Sequence, residues 1–181
     1  SLSYAKDQKT LLFDAPSNIH KLSQLLSDNP SANILAAGTD LNLEITQSMK
    51  EFPHIVSVNR VTELKQIVDN GSEIEIGAAV SYEDAKSILV EHWPNLNSFL
   101  QRFASLPIKN WATIGGNIAN ASPIGDMAPV LIALESKLKL RKGDSSRVIA
   151  LEDFFISYKK TLLESSEFIE SILIPKPSSD D

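Results

Sequence analysis

The sequence predicts an α+β fold in which a small parallel sheet is followed by an antiparallel sheet carrying helices. Three observations predict it. The chain opens strand–helix–strand, the pattern of a parallel unit. Two later stretches read as hairpins around short polar turns. A last strand then covers residues 167–174.

The elements follow in order. Residues 10–14 are a short apolar run and a candidate first strand. Ser17 is a good helix N-cap, and Ile19, Leu22, Leu25 and Leu26 follow at helical spacing. Asn29-Pro30 stops that helix, residues 33–36 read as a buried strand, and the chain turns at Gly38-Thr39-Asp40. A second helix is predicted over residues 41–49 and another strand over 54–58. Beyond about residue 60 the pattern changes. Residues 64–68 and 73–77 flank Asp69-Asn70-Gly71-Ser72 and predict a hairpin around an Asn-Gly turn. Ser81 and Asp84 make a capping-box-like start to a helix through His92, and Pro94 opens another reaching Ala104. A helix is expected to begin near Met127 with Asp126 before it as cap. Residues 137–149 predict a second hairpin turning at Lys142-Gly143-Asp144. The expected organisation is one domain of two subdomains, 1–60 and 61–176, with a polar tail at 177–181.

Composition excludes several functions. Lys plus Arg number 17 against 23 Asp plus Glu, a net charge of -6. Nucleic-acid binding needs basic surface to replace phosphate counterions, and the densest basic group, Lys137, Lys139, Arg141 and Lys142, is spaced like the outward face of a strand. The absence of cysteine excludes disulfides, thiolate nucleophiles and iron–sulfur ligation within these residues. The three histidines lie far apart, so no metal site is expected. The longest apolar run, residues 127–134, is too short for a bilayer, which takes about 20 residues. The polar start, residues 1–10, lacks a signal-peptide core. A cytoplasmic protein with no membrane partner is expected.

Two segments carry the chemistry. In the first, Leu35, Ala36, Ala37, Gly38, Thr39, Asp40 and Leu41 put small residues between a strand and a helix. Such a turn lets backbone N–H groups face one way and bind phosphate oxygens; the same residues also describe an ordinary strand–turn–helix connection. The second segment, residues 112–126, holds three Gly, two Asn, a Thr, a Ser and an Asp in 15 positions. Glycines permit close approach of a ligand, and long segments without regular structure in compact domains are usually functional. Neither segment is a Walker loop or a Gly-x-Gly-x-x-Gly fingerprint.

On Ala36-Ala37-Gly38-Thr39-Asp40-Leu41, Ile108-Lys109-Asn110, residues 112–126, Leu151-Glu152-Asp153-Phe154-Phe155 and Glu167-Phe168 with Ile172-Leu173-Ile174-Pro175, the chain resembles the FAD-binding domain of the xanthine dehydrogenase and carbon monoxide dehydrogenase flavoprotein family. Within that family it is most similar to the small subunit of bacterial xanthine dehydrogenases. The resemblance implies the two-subdomain fold of vanillyl-alcohol-oxidase (PCMH) type, with FAD between the subdomains. It implies that Ile34 to Leu41 wrap the pyrophosphate and that Thr113, Ile114, Gly115, Gly116 and Asn117 form a second wall, continued by Asn120 and Ser122. It also implies that Asp126 accepts from cofactor hydroxyls and that Phe103 and Ile169 give apolar contacts; from periodicity alone both read as core residues. The implied activity is flavin-mediated electron transfer from iron–sulfur clusters and a molybdenum centre on partner domains or subunits to NAD+. The flavin does the redox chemistry, so no catalytic residue is named, and the chain alone is not expected to turn over substrate.

Three departures from the family stand out. Ala37 replaces a usual Gly, which is tolerable at negative φ and otherwise favours a flavin-free interaction or assembly module with a decayed site. Lys109 replaces a usual Arg and loses its planar fork. The sequence stops just after Ile174-Pro175, without the family's following domain, so one domain or subunit of a larger electron-transfer enzyme is expected.

Overall fold

A computed structural model describes residues 1–6 and 9–177. The first strand, β1 (Leu2–Lys6), pairs antiparallel with β2 (Lys9–Asp14). β1 is an addition to the predicted elements, because Leu2 and Tyr4 lie exposed on a sheet edge and leave no strong apolar signal. Helix α1 (Ile19–Asp28) buries Leu22 and Leu26, as its spacing predicts. Its cap is Asn18 rather than Ser17: Asn18 is extended and its side chain accepts from the Lys21 N–H at 2.9 Å.

β3 (Asn33–Leu35), α2 (Leu41–Ser48) and β4 (His54–Ser57) complete the first unit. β2 and β3 both run parallel to β4, giving the order β1-β2-β4-β3. The structure corrects the buried strand expected at 33–36. β3 is an edge strand with Ile34 exposed, because its outer side faces a cleft instead of another strand. Leu22, Leu26, Val56 and Val58 form this unit's core together with Val61, Leu64, Ala79 and Phe168.

The second unit is built on five strands. After a 3-10 turn at Thr62–Lys65 come β5 (Ile67–Asp69) and β6 (Glu73–Gly77). The predicted hairpin is there, but its turn is Gly71-Ser72 rather than Asn70-Gly71. The Asn70 N–H still donates to Glu73 O at 2.9 Å, which extends the pairing by one residue, and Gly71 takes φ +84. Helix α3 (Tyr82–His92) starts at the Ser81 cap, whose hydroxyl oxygen accepts from the Asp84 N–H at 3.1 Å. α4 (Leu96–Arg102) is shorter than predicted, and α5 (Leu106–Trp111) and α6 (Ile114–Asn120) are helices within stretches that carry no helical pattern. α7 (Met127–Ala133) begins where expected.

β7 (Lys137–Lys142) and β8 (Ser145–Ala150) form the second hairpin around Gly143-Asp144, with Gly143 at φ +60. β9 (Phe155–Ser157) and β10 (Lys160–Thr161) make a small separate hairpin. β11 (Phe168–Pro175) ends the fold, and the tail from residue 178 lies outside the described residues. The sheet order is β5-β6-β11-β7-β8. β11 is central, and it sends Ile169, Ile172 and Ile174 into the second core and Phe168 into the first. Ile76, Leu138, Leu140 and Ile172 from the sheet pack with Leu89, Ile114, Ile118 and Leu131 from the helices. No helix among the described residues is long and apolar enough to cross a membrane.

The register between β11 and β7 shifts between Ile169 and Ser171, as at a bulge. Glu170 lies at that shift and receives Arg141 Nε at 2.6 Å and Lys139 Nζ at 3.0 Å. Burial pushes its carboxyl up, but Arg141 and Lys139 together outweigh it and hold the group below the ordinary carboxylate range. Glu167 is held low by Arg147, against an opposing contribution from burial. A carboxylate whose folded pKa is depressed contributes stability above its unfolded value and loses it as pH falls through the folded one. Glu170→Gln is therefore expected to melt below the wild type at pH 7, with the gap closing below about pH 4. Melting curves across that range check it; a gap unchanged at pH 3 contradicts the assignment.

Candidate functional site

Between the two units lies a cleft of about 630 Å3, within the range of small-molecule sites, roughly 300–1,000 Å3. One wall is the chain between β3 and α2. The ladder to β4 ends when Leu35 O accepts from the Val58 N–H at 3.0 Å. From there to the first turn of α2, the N–H groups of residues 36–41 donate to no other group among the described residues. Gly38, at φ +74, turns this run, and Gly38 O accepts from the Asn42 N–H at 3.1 Å to start the helix. Six consecutive unpaired donors around one left-handed residue make a nest for an anion. Ala37 does not have a positive φ, so its methyl group is accommodated without backbone strain.

The opposite wall is α6. Thr113 caps it, its hydroxyl accepting from the Gly116 N–H at 3.1 Å. The N–H groups of Ile114 and Gly115 go to Val80 O and Ala78 O, both at 3.1 Å. This wall therefore offers side chains instead of backbone donors. Of the residues singled out in the sequence, Ile34 to Leu41, Phe103, Thr113, Gly115, Gly116, Asn117, Asn120, Ser122 and Ile169 all border the cleft. Two do not. Ile114 is fully buried in the second core, because the helical period turns it with Ile118 away from Gly116. Asp126 lies exposed before α7, outside the lining, and makes no side-chain cap bond there, its backbone being helical already.

Sequence reasoning missed Tyr82, Ile108, Leu163 and Glu167, which also border the cleft, because contacts made by tertiary folding leave no local pattern. The capping box at Ser81 was the available signal for Tyr82, since it places that ring on the first turn of α3. Lys50 is the single cationic side chain among the lining residues and pairs with Glu44, holding its carboxyl below the ordinary range. Lys109, by contrast, is buried, its Nζ donating to Leu100 O at 2.9 Å. That bond ties α5 to the last turn of α4. Burial pushes the Tyr82 phenol well above its ordinary pKa, and the charge of Asp126 adds to the effect, so the hydroxyl stays a donor at neutral pH.

A cleft with a run of N–H groups unpaired among the described residues on one wall, and Phe103, Ile108 and Ile169 within its lining, suits a dinucleotide cofactor. The chain belongs to the family described as FAD binding domain in molybdopterin dehydrogenase, which matches residues 9–177. It is 32% identical over 171 residues to xanthine dehydrogenase/oxidase of Rattus norvegicus, covering 88% of this chain and 13% of that protein. It is 29% identical over 197 residues to xanthine dehydrogenase of Drosophila pseudoobscura pseudoobscura, covering 96% and 15%. Among solved structures it matches a carbon monoxide dehydrogenase from Hydrogenophaga pseudoflava, which lacks the Mo-pyranopterin moiety of its molybdenum cofactor. The TM-score is 0.87 at 28% identity, over 93% of this chain and 60% of that one. The chain thus spans about one seventh of the dehydrogenases it resembles. Its fold is the α+β fold of these flavin domains, the PCMH type, and FAD is the family's cofactor. The residues present fit that cofactor: the donors of residues 36–41 suit its pyrophosphate, and Asn117 Oδ1 and the Tyr82 hydroxyl, both of cleft-lining residues, are buried polar atoms without partners among the described residues.

Proposed function

We propose that this chain is the flavin-carrying electron-transfer module of a larger xanthine-dehydrogenase-like molybdenum hydroxylase. It takes electrons from iron–sulfur and molybdenum centres on partner domains or subunits, and NAD+ is the acceptor. The finer likeness to the small subunit of the bacterial enzymes and the division into residues 1–60 and 61–176 belong to the same reading. The observation that carries it is the run of six N–H groups, unpaired among the described residues, in residues that line a cleft also holding apolar side chains.

When bound, FAD would supply the redox chemistry, linking one-electron donors on the partners to a hydride acceptor. The protein's part is to bind and orient. Ile34 to Leu41 hold the pyrophosphate through backbone donors, and Lys50 neutralises Glu44 so that the phosphates do not meet a free carboxylate. Thr113, Gly115, Gly116, Asn117, Asn120 and Ser122 form the facing wall, with Phe103 and Ile169 as apolar contacts. Asp126 reaches a cofactor hydroxyl from the rim, and Ile114 supports the wall from behind. No residue here acts as a catalytic acid or base. The sign that favoured a flavin-free module, Ala37 in place of Gly, loses its force at non-positive φ.

The purified chain is expected to show flavin absorption bands when loaded, and to bind FAD at least tenfold more tightly than FMN, about 1.4 kcal/mol, because FMN lacks the pyrophosphate. Titration by fluorescence quenching tests both points. Equal affinity for FMN removes the pyrophosphate assignment, and no binding of either removes the function.

A further inference from the structure

Tyr82 is the first residue of α3, and its ring packs at 4.5 Å, centroid to centroid, on Phe103. The residue is 1% exposed, yet its hydroxyl has no hydrogen-bond partner among the described residues. A buried donor left unpaired costs roughly 1–3 kcal/mol. Phenylalanine would fill the same space without that cost. Tyr82 and Phe103 both border the cleft, so a molecule held in the cleft can supply the missing acceptor. Of the cleft's lining residues, Asn117 has the other buried, unpartnered side-chain polar atom, an acceptor.

We propose that the Tyr82 hydroxyl donates a hydrogen bond to an acceptor atom on one of the two ring-bearing halves of the dinucleotide, fixing that half beside Phe103. The inference rests on the cleft being the FAD site. Both halves, adenosine and flavin, carry suitable oxygen and nitrogen acceptors, so the probes must separate them.

The test is Tyr82→Phe in the whole chain, which keeps the ring and its packing on Phe103. Affinities are measured for FAD and FMN by fluorescence quenching and for ADP by competition, beside the melting temperature of the flavin-free protein. FAD binding is expected to weaken about three- to tenfold. A matching loss for ADP assigns the bond to the adenosine half, and a matching loss for FMN assigns it to the flavin half; either supports the proposal. The flavin-free variant is expected to melt at or above the wild-type temperature, because an unsatisfied hydroxyl has been removed. Wild-type affinity for all three probes overturns the proposal, as does a lower melting temperature with unchanged affinities, which marks a purely structural hydroxyl. A wild-type chain that takes up no FAD overturns the functional proposal, and this one with it.

Discussion

Gly38→Val is expected to weaken FAD binding about a hundredfold, close to 2.7 kcal/mol, with a much smaller loss of stability. Gly38 sits at φ +74, and an added Cβ would meet Asn42 Nδ2 at 2.9 Å and Leu35 Cδ1 at 3.2 Å. A β-branched residue at positive φ is a genuine outlier, with a strain of roughly 1–3 kcal/mol. The loop relieves it by turning its peptides, which breaks up the run of donors at residues 36–41. Hydrogen bonds to charged groups contribute about 1.5–3 kcal/mol each, so losing one or two accounts for the expected factor. The strained loop belongs to an edge strand and the rim of the cleft, which limits the damage to the fold. Flavin titration beside thermal melting decides it. Wild-type FAD affinity in the variant removes the nest from the site.

Gly115 and Gly116 are adjacent in sequence and expected to differ in kind. A Cβ on Gly115 would lie 2.5 Å from Ala78 Cβ and 2.6 Å from Ala78 O. Neither atom can swing aside, and the Gly115 N–H bond to Ala78 O at 3.1 Å lies in the same contact. Gly115→Ala must therefore push α6 away from the segment after β6. The expected cost is about 3 kcal/mol of stability, the upper part of the usual overpacking range. A Cβ on Gly116 meets only Thr113 Oγ1, at 2.7 Å, a side-chain hydroxyl able to rotate. Gly116→Ala is expected to cost about 1 kcal/mol through the disturbed cap, and to weaken FAD binding because the methyl group stands on the cleft wall. Denaturant melts and FAD titration on both variants test the contrast. Equal stability losses would mean that the two glycines share one role.

Much of this architecture was legible in the sequence because its signals are local. The apolar spacing of α1, the Ser81 cap of α3, the alternation of β6 and the two hairpins need only neighbouring residues to be recognised. β1 was missed because its outward residues leave little pattern, and the turn after β5 was misplaced by one residue because strand pairing extends beyond the dipeptide that suggests it. The helix over 114–120 was hidden by its two glycines, which lower helix propensity by about 1 kcal/mol each. Here the core contact of Ile114 and the packing of Gly115 on Ala78 decide the structure instead. Residues 35–41 stood out by composition and spacing and do line the cleft, whereas Tyr82 and Glu167 reach it only through the folded topology.

The central place of β11 has a consequence for the order in which the molecule can assemble. β6 and β7 are not neighbours in the sheet; each pairs with β11, the last strand in the chain. The Glu75–Ser171 bond joins residues 96 apart. At a synthesis rate of about 5–20 residues per second, β6 waits roughly 5–20 s for its partner. Throughout that interval the inner edge of β6 is open, joined by that of β7 once residues 137–142 are made, and Ile169 has not yet reached the cleft. On the ribosome, the chain of the first wall, residues 36–41, is therefore made well before the second wall can close over a cofactor.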